Sequence, residues 1–209
     1  EILFVFRFIK FFQKNMRLYT MIKCDQLTLG KNTKISNSAS IVSNVIDIGD
    51  NVEIQGNVKM NCDSIKIESN SIIEKCNYFK VKKLKIGYKT KIEKNRSFQA
   101  IGHVAESISF GDFVIIGFNQ NVLVPALIVG DYTQIHNSTL INGYKVCKIG
   151  HNCWIGQNSI LNSTEKLTIG NNVRIGTQSQ LWTHVASGEL LEGCELFGMH
   201  PITIEDKVW

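Results

Sequence analysis

The chain has 209 residues, of which 44% are hydrophobic and 20% are charged, and its formal net charge is +5. This composition excludes a wholly disordered chain, and 2 prolines against 16 glycines exclude collagen-like and polyproline designs. Because the lysines and arginines are scattered rather than clustered, the positive charge does not indicate nucleic-acid binding.

The chain opens with an apolar segment, Ile2 to Phe12, that only Arg7 and Lys10 interrupt. This segment is shorter than the roughly 20 apolar residues that span a bilayer, and no small-residue cleavage site follows it. Three interpretations remain: a helix that caps the fold, a helix in peripheral contact with a membrane through residues 1–20, or a truncated spanning helix. We therefore expect residues 1–28 to form an apolar helix or cap, in a cytoplasmic protein that could associate with the inner face of the membrane.

From residue 29 onward a short pattern recurs: an aliphatic residue, then Gly or an acid, then two polar residues, then a small or branched residue. Successive repeats begin 19, 20 or 24 residues apart, except for a final interval of 35. Within several repeats the apolar position returns after six residues. The repeats begin at Leu29, Ile48, Ile67, Ile86, Phe110, Val129, Ile149, Ile169 and Ile204. Hexapeptide periodicity of this kind is typical of a parallel β-helix.

Residues 29–209 are thus predicted to be all-β, as a left-handed parallel β-helix (a three-faced solenoid) with an N-terminal helical cap and one projecting loop. The aliphatic positions should point into one narrow core. Gly relieves strain at the corners, and Asn tolerates the left-handed backbone conformation there. A solenoid of the opposite hand, or a purely structural stalk, is disfavoured because the six-residue subperiod demands three equal faces.

The final interval of 35 exceeds the usual 19 by 16 residues, which we place in an insertion loop at about residues 182–200. These residues cannot all stay within a coil face, and loops that project from a rigid scaffold are where sites tend to be built. His184 stands at the root of this loop. The other histidines are not spaced as zinc ligands, and the six cysteines show no paired spacing, so we expect no metal and reduced thiols.

Thr183-His184, followed by the return Pro201-Ile202-Thr203-Ile204 with Asp206, Val208 and Trp209, resembles the hexapeptide-repeat sugar O-acetyltransferases. The galactoside, maltose and nodulation-factor acetyltransferases are of that type. The repeats carry the resemblance over about residues 29–209, and the local match covers residues 183–209. The resemblance implies direct transfer of an acetyl group from acetyl-CoA to a hydroxyl of a saccharide or oligosaccharide. It also implies that His184 is the catalytic general base, and that the active site lies between neighbouring subunits of a homotrimer.

The chemistry of imidazole agrees with that role, because a pKa near about 6.5 lets it take a proton from a sugar hydroxyl at neutral pH. One ring nitrogen should be held by a carbonyl or carboxylate so that the other faces the substrate. Glu189, Glu192 and Glu195 are the candidates for this orienting role, although the first two could equally be solvated loop charges. Trp182 and Thr183 are candidate acceptor contacts, and Trp182 could equally be a core residue.

Two features depart from the pattern of the family. Val185 follows His184, and the His-Pro pair comes later, at His200-Pro201, which makes His200 the second-choice base. The family usually continues for further coils that supply much of the coenzyme A tunnel, whereas this sequence stops at Trp209, and we expect residues to be missing at one or both ends. The alternative function is a non-catalytic β-helix that serves as a scaffold or assembly module. Flat faces with few charges favour side-by-side packing of copies.

Overall fold

The computed structural model describes residues 22–186 and 197–209, which form an all-β parallel solenoid with three faces, here called A, B and C. Each coil runs through A, B and C in turn, and its strands pair in parallel with those of the next coil. The architecture is consistent with the predicted left-handed β-helix. The predicted N-terminal cap lies, except for its last residues, outside the described part of the chain. In the described ranges there is no helix with the length and apolar character to cross a membrane.

The strands, in chain order, are β1 (Ile22–Lys23), β2 (Gln26–Leu29), β3 (Lys34–Ile35), β4 (Ser40–Val42), β5 (Val45–Ile48), β6 (Glu53–Ile54), β7 (Lys59–Asn61), β8 (Ser64–Ile67), β9 (Ile72–Ile73), β10 (Asn77–Ile86), β11 (Lys91–Ile92), β12 (Arg96–Gln99), β13 (Ala105–Phe110), β14 (Ile115–Ile116), β15 (Asn121–Leu123), β16 (Ala126–Val129), β17 (Gln134–Ile135), β18 (Leu140–Asn142), β19 (Cys147–Ile149), β20 (Trp154–Ile155), β21 (Ile160–Asn162), β22 (Leu167–Ile169), β23 (Arg174–Ile175), β24 (Gln180–Trp182), β25 (His184–Ala186), β26 (Phe197–Met199) and β27 (Ile202–Ile204). Face A contains β1, β4, β7, the first part of β10, β12, β15, β18, β21 and β24. Face B contains β2, β5, β8, the last part of β10, β13, β16, β19, β22 and β27. Face C contains β3, β6, β9, β11, β14, β17, β20 and β23.

The solenoid includes residues that the repeat pattern assigned to the cap. β1 pairs with β4, and β2 pairs with β5, so residues 22–28 belong to the first coil. The hexapeptide signature becomes recognisable only at the Leu29-Gly30 corner, because the two strands before it carry no corner glycine. The start of the solenoid was therefore harder to place than its interior.

The core is a continuous column of apolar side chains along the solenoid axis. Seven of the nine repeat-start residues are buried, and the two at the ends, Leu29 and Ile204, are partly buried. Three phenylalanines fill the middle of the column: Phe79 and Phe98 stack with ring centroids 4.6 Å apart, and Phe98 meets Phe110 edge-on at 5.8 Å. Phe110, which takes a repeat position that is otherwise aliphatic, thus packs against the ring of Phe98.

At the B/C corner the chain turns through residues in the left-handed backbone conformation, as the recurring asparagines in the sequence indicated. Asn32, Asn51 and Asn70 have φ values of 57°, 54° and 63° at equivalent positions. Their side-chain amides form a ladder along the corner, with Nδ2 to Oδ1 distances of 3.2 Å between successive coils. In the three coils that follow, Lys89, Phe113 and Tyr132 take the same position and also have positive φ.

The differences in coil length fall at the A/B corner. Two residues separate β4 from β5 and β15 from β16, whereas four separate β18 from β19 and β21 from β22, five separate β12 from β13, and nineteen separate β24 from β27. Gly143 lies at this corner with φ of 145°, and a Cβ atom there would collide with the backbone of Ser163. The A/B corner is thus where the chain carries its insertions.

The described cysteines are free thiols, and three of them are buried. Burial raises the pKa of the Cys62 and Cys147 thiols to about 12, and Cys153 is 2% exposed. Since thiolates are the nucleophilic form, Cys62 and Cys147 are inert core residues rather than nucleophiles. Cys194 lies outside the described residues.

Candidate functional site

The excursion leaves the solenoid at the A/B corner of the ninth coil. β24 ends at Trp182, and after Thr183 the chain enters β25, which pairs antiparallel with β26 so that His184 lies opposite Met199. The backbone N–H of His200 then donates to the carbonyl of Thr183 at 3.0 Å, before the chain resumes face B in β27. The predicted loop therefore has a hydrogen-bonded stem, and His184 is the first residue of that stem.

One buried amide, that of Asn162, holds the root of this stem. Asn162 is the last residue of β21, one coil below Trp182, and is 3% exposed. Its Oδ1 lies 3.1 Å from the backbone nitrogen of Thr164, 3.1 Å from Thr183 Oγ1 and 3.0 Å from His184 Nδ1. Its Nδ2 donates to Asn142 Oδ1, one coil further down, at 3.3 Å.

These contacts determine which nitrogen of His184 carries the proton. A backbone N–H can only donate, so the atom beside the nitrogen of Thr164 must be the amide oxygen of Asn162. His184 Nδ1 must then be a donor to the same oxygen. In the neutral imidazole the proton is therefore on Nδ1, and Nε2 is the unprotonated nitrogen, which is the form a general base needs.

Glu189, Glu192 and Glu195, which the sequence offered as orienting residues, lie outside the described part of the chain. The group that meets Nδ1 is the amide of Asn162, which sequence reasoning missed because it belongs to the preceding coil. The sequence does contain a pattern that could have identified Asn162. Asn142 and Asn162 are 20 residues apart, which is the coil length in this region, and with Trp182 they occupy equivalent positions in successive strands of face A. Two asparagines at equivalent strand ends in successive coils indicate side-chain amides that hydrogen-bond to each other, rather than residues of a turn.

The side chain of Thr183 is buried at the corner next to His184 instead of projecting outward. Its side chain is 2% exposed; the hydroxyl donates to Asn162 Oδ1 and accepts a hydrogen bond from the backbone N–H of Glu165 at 3.0 Å. The hydroxyl therefore has little capacity left for an acceptor molecule. This placement makes Thr183 a positioning residue for the corner.

Trp182 lies on the outer surface of face A, beside His184. It is 44% exposed, its Nε1 donates to Gln180 Oε1 at 3.0 Å, and its ring meets that of His184 edge-on with centroids 5.7 Å apart. This exposure excludes the core role that the sequence left open for Trp182. The indole instead forms an exposed apolar surface next to the imidazole.

The remaining histidines are placed differently. The His200 side chain is exposed, and no hydrogen bond to its ring occurs among the described residues. His103 Nδ1 lies 2.7 Å from the carbonyl of Ile101 at the short A/B insertion, and His151 Nδ1 lies 3.2 Å from Asp131 Oδ2. Within residues 22–186 and 197–209, no three His, Cys, Asp or Glu side chains come together as metal ligands would.

No protein-family model matches the chain, and no curated protein matches its sequence. A β-solenoid fold is compatible with several functions, so the function must be argued from the chemistry of this corner.

Proposed function

We propose that the protein is an acyltransferase that moves an acetyl group from acetyl-CoA to a hydroxyl of a saccharide, with His184 as the general base. The observation that carries the proposal is the hydrogen bond between His184 Nδ1 and Asn162 Oδ1, which makes Nε2 the unprotonated nitrogen of the neutral ring. The resemblance of residues 183–209 to the sugar O-acetyltransferases supplies the reaction class. A non-catalytic scaffold has no need for an imidazole held in one tautomer at the root of an excursion.

In the proposed reaction, Nε2 takes the proton of the sugar hydroxyl while its oxygen attacks the thioester carbonyl carbon. The carbonyl becomes a tetrahedral oxyanion, which a backbone N–H could stabilise. The intermediate then collapses, the carbon–sulfur bond breaks, and the imidazolium returns its proton to the leaving thiolate of coenzyme A. Products are the acetylated sugar and free coenzyme A, with no covalent enzyme intermediate.

Trp182 is the proposed acceptor contact. Sugar rings pack against aromatic faces, and the indole of Trp182 is exposed beside the imidazole of His184. Its Nε1–H donates a hydrogen bond to Gln180, so the apolar face of the ring remains for the contact with a sugar. A homotrimer with the site between subunits is part of the proposal, as the resemblance to the sugar O-acetyltransferases implies. His200 remains the second-choice base.

The test is release of free thiol from acetyl-CoA in the presence of a panel of sugars. We expect His184→Ala to lower the rate by about 100-fold or more, in line with the usual contribution of a general base. His103→Ala is the matched control, since His103 also lies at an A/B insertion with Nδ1 close to a carbonyl. It should retain the full rate.

Three results would redirect the proposal. An unchanged rate in His184→Ala would exclude it as the base, and a selective loss in His200→Ala would transfer the role to that residue. No thiol release with any sugar, from a correctly folded wild type, would favour the scaffold instead.

A further inference from the structure

The A/B corner bears a second exposed aromatic side chain, two coils below His184. Tyr144 is 62% exposed and lies in the corner of the seventh coil, after β18. Asn142, Asn162 and Trp182 are register partners at the ends of successive strands of face A, and Tyr144 and His184 each follow such a strand end by two positions. The two positions are separated along the axis by about 10 Å, two coils at about 4.8 Å each. A ligand that reaches His184 and continues down the corner therefore meets Tyr144.

The backbone, and not the side chain of Tyr144, holds this corner in place. Gly143 has a φ of 145°, which favours glycine, and a Cβ atom there would collide with Ser163. The backbone nitrogens of Tyr144 and Lys145 both donate to the carbonyl of Ser163, at 3.1 and 2.9 Å. Among the residues that the structure describes, the Tyr144 side chain makes no hydrogen bond and no ring contact. The phenol ring is thus exposed without a structural role in the corner.

Beside Tyr144, the amide of Asn142 has donors to spare. Its Oδ1 accepts a hydrogen bond from Asn162 Nδ2 at 3.3 Å, whereas its own Nδ2 donates to no residue within 22–186 and 197–209. The side chain of Asn142 is half-buried at the strand end. Binding sites for small molecules combine aromatic and apolar surface with a few fixed hydrogen-bonding groups. Trp182, Asn142 and Tyr144, which we call the corner strip, have this composition.

The exposed aromatic residues of the B/C corner are placed differently. Phe113 and Tyr132 stack on each other with ring centroids 4.9 Å apart, and Tyr88 meets Phe113 edge-on at 5.6 Å. These rings pack against their neighbours from coil to coil, as the asparagine amides do elsewhere along that corner. Tyr144 has no such ring partner in the described part of the chain, so its ring is available for a ligand.

We infer that the acceptor is an oligosaccharide, whose reacting sugar lies at Trp182 and His184 while a sugar further along its chain packs against Tyr144. The inference rests on the proposed function and narrows its substrate class to chains that extend over about 10 Å. The phenol ring supplies an apolar face, and the free N–H groups of Asn142 donate to a sugar hydroxyl. Because Tyr144 is remote from the reacting hydroxyl, its contact is equally strong in the ground state and the transition state. It should therefore lower KM without changing kcat.

Thiol release from acetyl-CoA with matched acceptors tests the inference. The pairs are glucose with maltotriose, and N-acetylglucosamine with chitotriose. We expect the wild type to show a lower KM for a trisaccharide than for its monosaccharide. Tyr144→Ala should raise the trisaccharide KM by about fivefold, the usual weight of one aromatic contact, and leave kcat and the monosaccharide KM unchanged.

Two further variants separate the ring contact from other effects. Tyr144→Phe keeps the ring and should keep the trisaccharide KM of the wild type. Tyr132→Ala is the matched control, because Tyr132 is a tyrosine that is 59% exposed at the other corner, and it should leave every KM unchanged. The β-sheet circular dichroism should be retained in all three variants, since the replaced side chains are exposed.

Equal KM values for trisaccharide and monosaccharide in the wild type would overturn the inference and leave the proposed function standing. An unchanged trisaccharide KM in Tyr144→Ala would do the same. Calorimetric binding of the trisaccharides without acetyl-CoA separates the two proposals. If no sugar releases thiol, trisaccharide binding that weakens about fivefold in Tyr144→Ala would retain the saccharide site and refute acetyl transfer. Neither thiol release nor trisaccharide binding in the wild type would overturn both.

Discussion

At the root of the excursion, three hydrogen-bond donors converge on the Oδ1 of Asn162. His184 could be selected from the sequence because it stands where a long interval leaves the repeat. Asn162 could not, because its role depends on vertical stacking between coils, which places residues 22 positions apart in direct contact. Local sequence around a histidine therefore misses the residue that sets its tautomer.

We predict that Asn162→Ala lowers kcat by about tenfold or more, because the imidazole loses the acceptor that orients it. Nitrogen NMR of His184 should show the Nδ1–H tautomer in the wild type and a mixture in the variant. A merely structural role for Asn162 would leave that spectrum unchanged.

Asn162→Asp is the informative companion, since it keeps an oxygen beside Nδ1. A carboxylate there stabilises the imidazolium and raises the pKa of His184. Because the base works only when neutral, the rising limb of the pH–rate profile should move to higher pH. A shift to lower pH would contradict the assignment.

At the scale of the corner turns, residues of the same type differ in backbone conformation according to their position in the coil. Asn51 and Asn61 both belong to the sequence repeat that begins at Ile48, yet Asn51 has φ of 54° and Asn61 ends a β-strand. The hexapeptide pattern predicts the first, because it follows the Ile-Gly corner by two residues. It does not predict the hairpin stem or the A/B insertions, because these residues lie outside the period.

Asn51→Val should destabilise the protein by about 2 kcal/mol. A β-branched residue in the left-handed region costs about 1–2 kcal/mol, and the substitution also removes two rungs of the amide ladder. Asn61→Val is the matched control and should change the free energy of unfolding by less than about 0.5 kcal/mol, because valine suits an exposed strand. Urea denaturation measures both, and equal values would refute the argument.

Over the whole molecule, the spacing of the apolar positions was sufficient to predict the parallel β-solenoid, because every coil buries the same positions of the repeat. It could not give the two strands that open the solenoid, β1 and β2, because the recognisable pattern begins only at the Leu29-Gly30 corner. It also did not describe the outer surface of the faces, since outward residues are not part of the period.

Phe98→Ala should lower the free energy of unfolding by about 3–5 kcal/mol, the usual cost of truncating a buried phenylalanine. Phe98 is fully buried and contacts both Phe79 and Phe110, so the cavity would lie in the middle of the core. Phe118→Ala, at a 37% exposed position, should cost less than about 1 kcal/mol. Thermal or urea unfolding, followed by circular dichroism, measures the free energy of unfolding of both variants. Similar losses of stability in Phe98→Ala and Phe118→Ala would contradict a core that runs along the solenoid axis.

The confinement of length changes to one edge has a consequence for how such a chain can diversify. A residue added at the A/B corner bulges outward locally, and the strands above and below keep their partners. A residue added within a strand would shift that face by one position and turn its inward side chains outward. Insertions can therefore accumulate at the A/B corner in one coil after another, and new functional residues can be acquired there while the strand pairing of the solenoid stays unchanged.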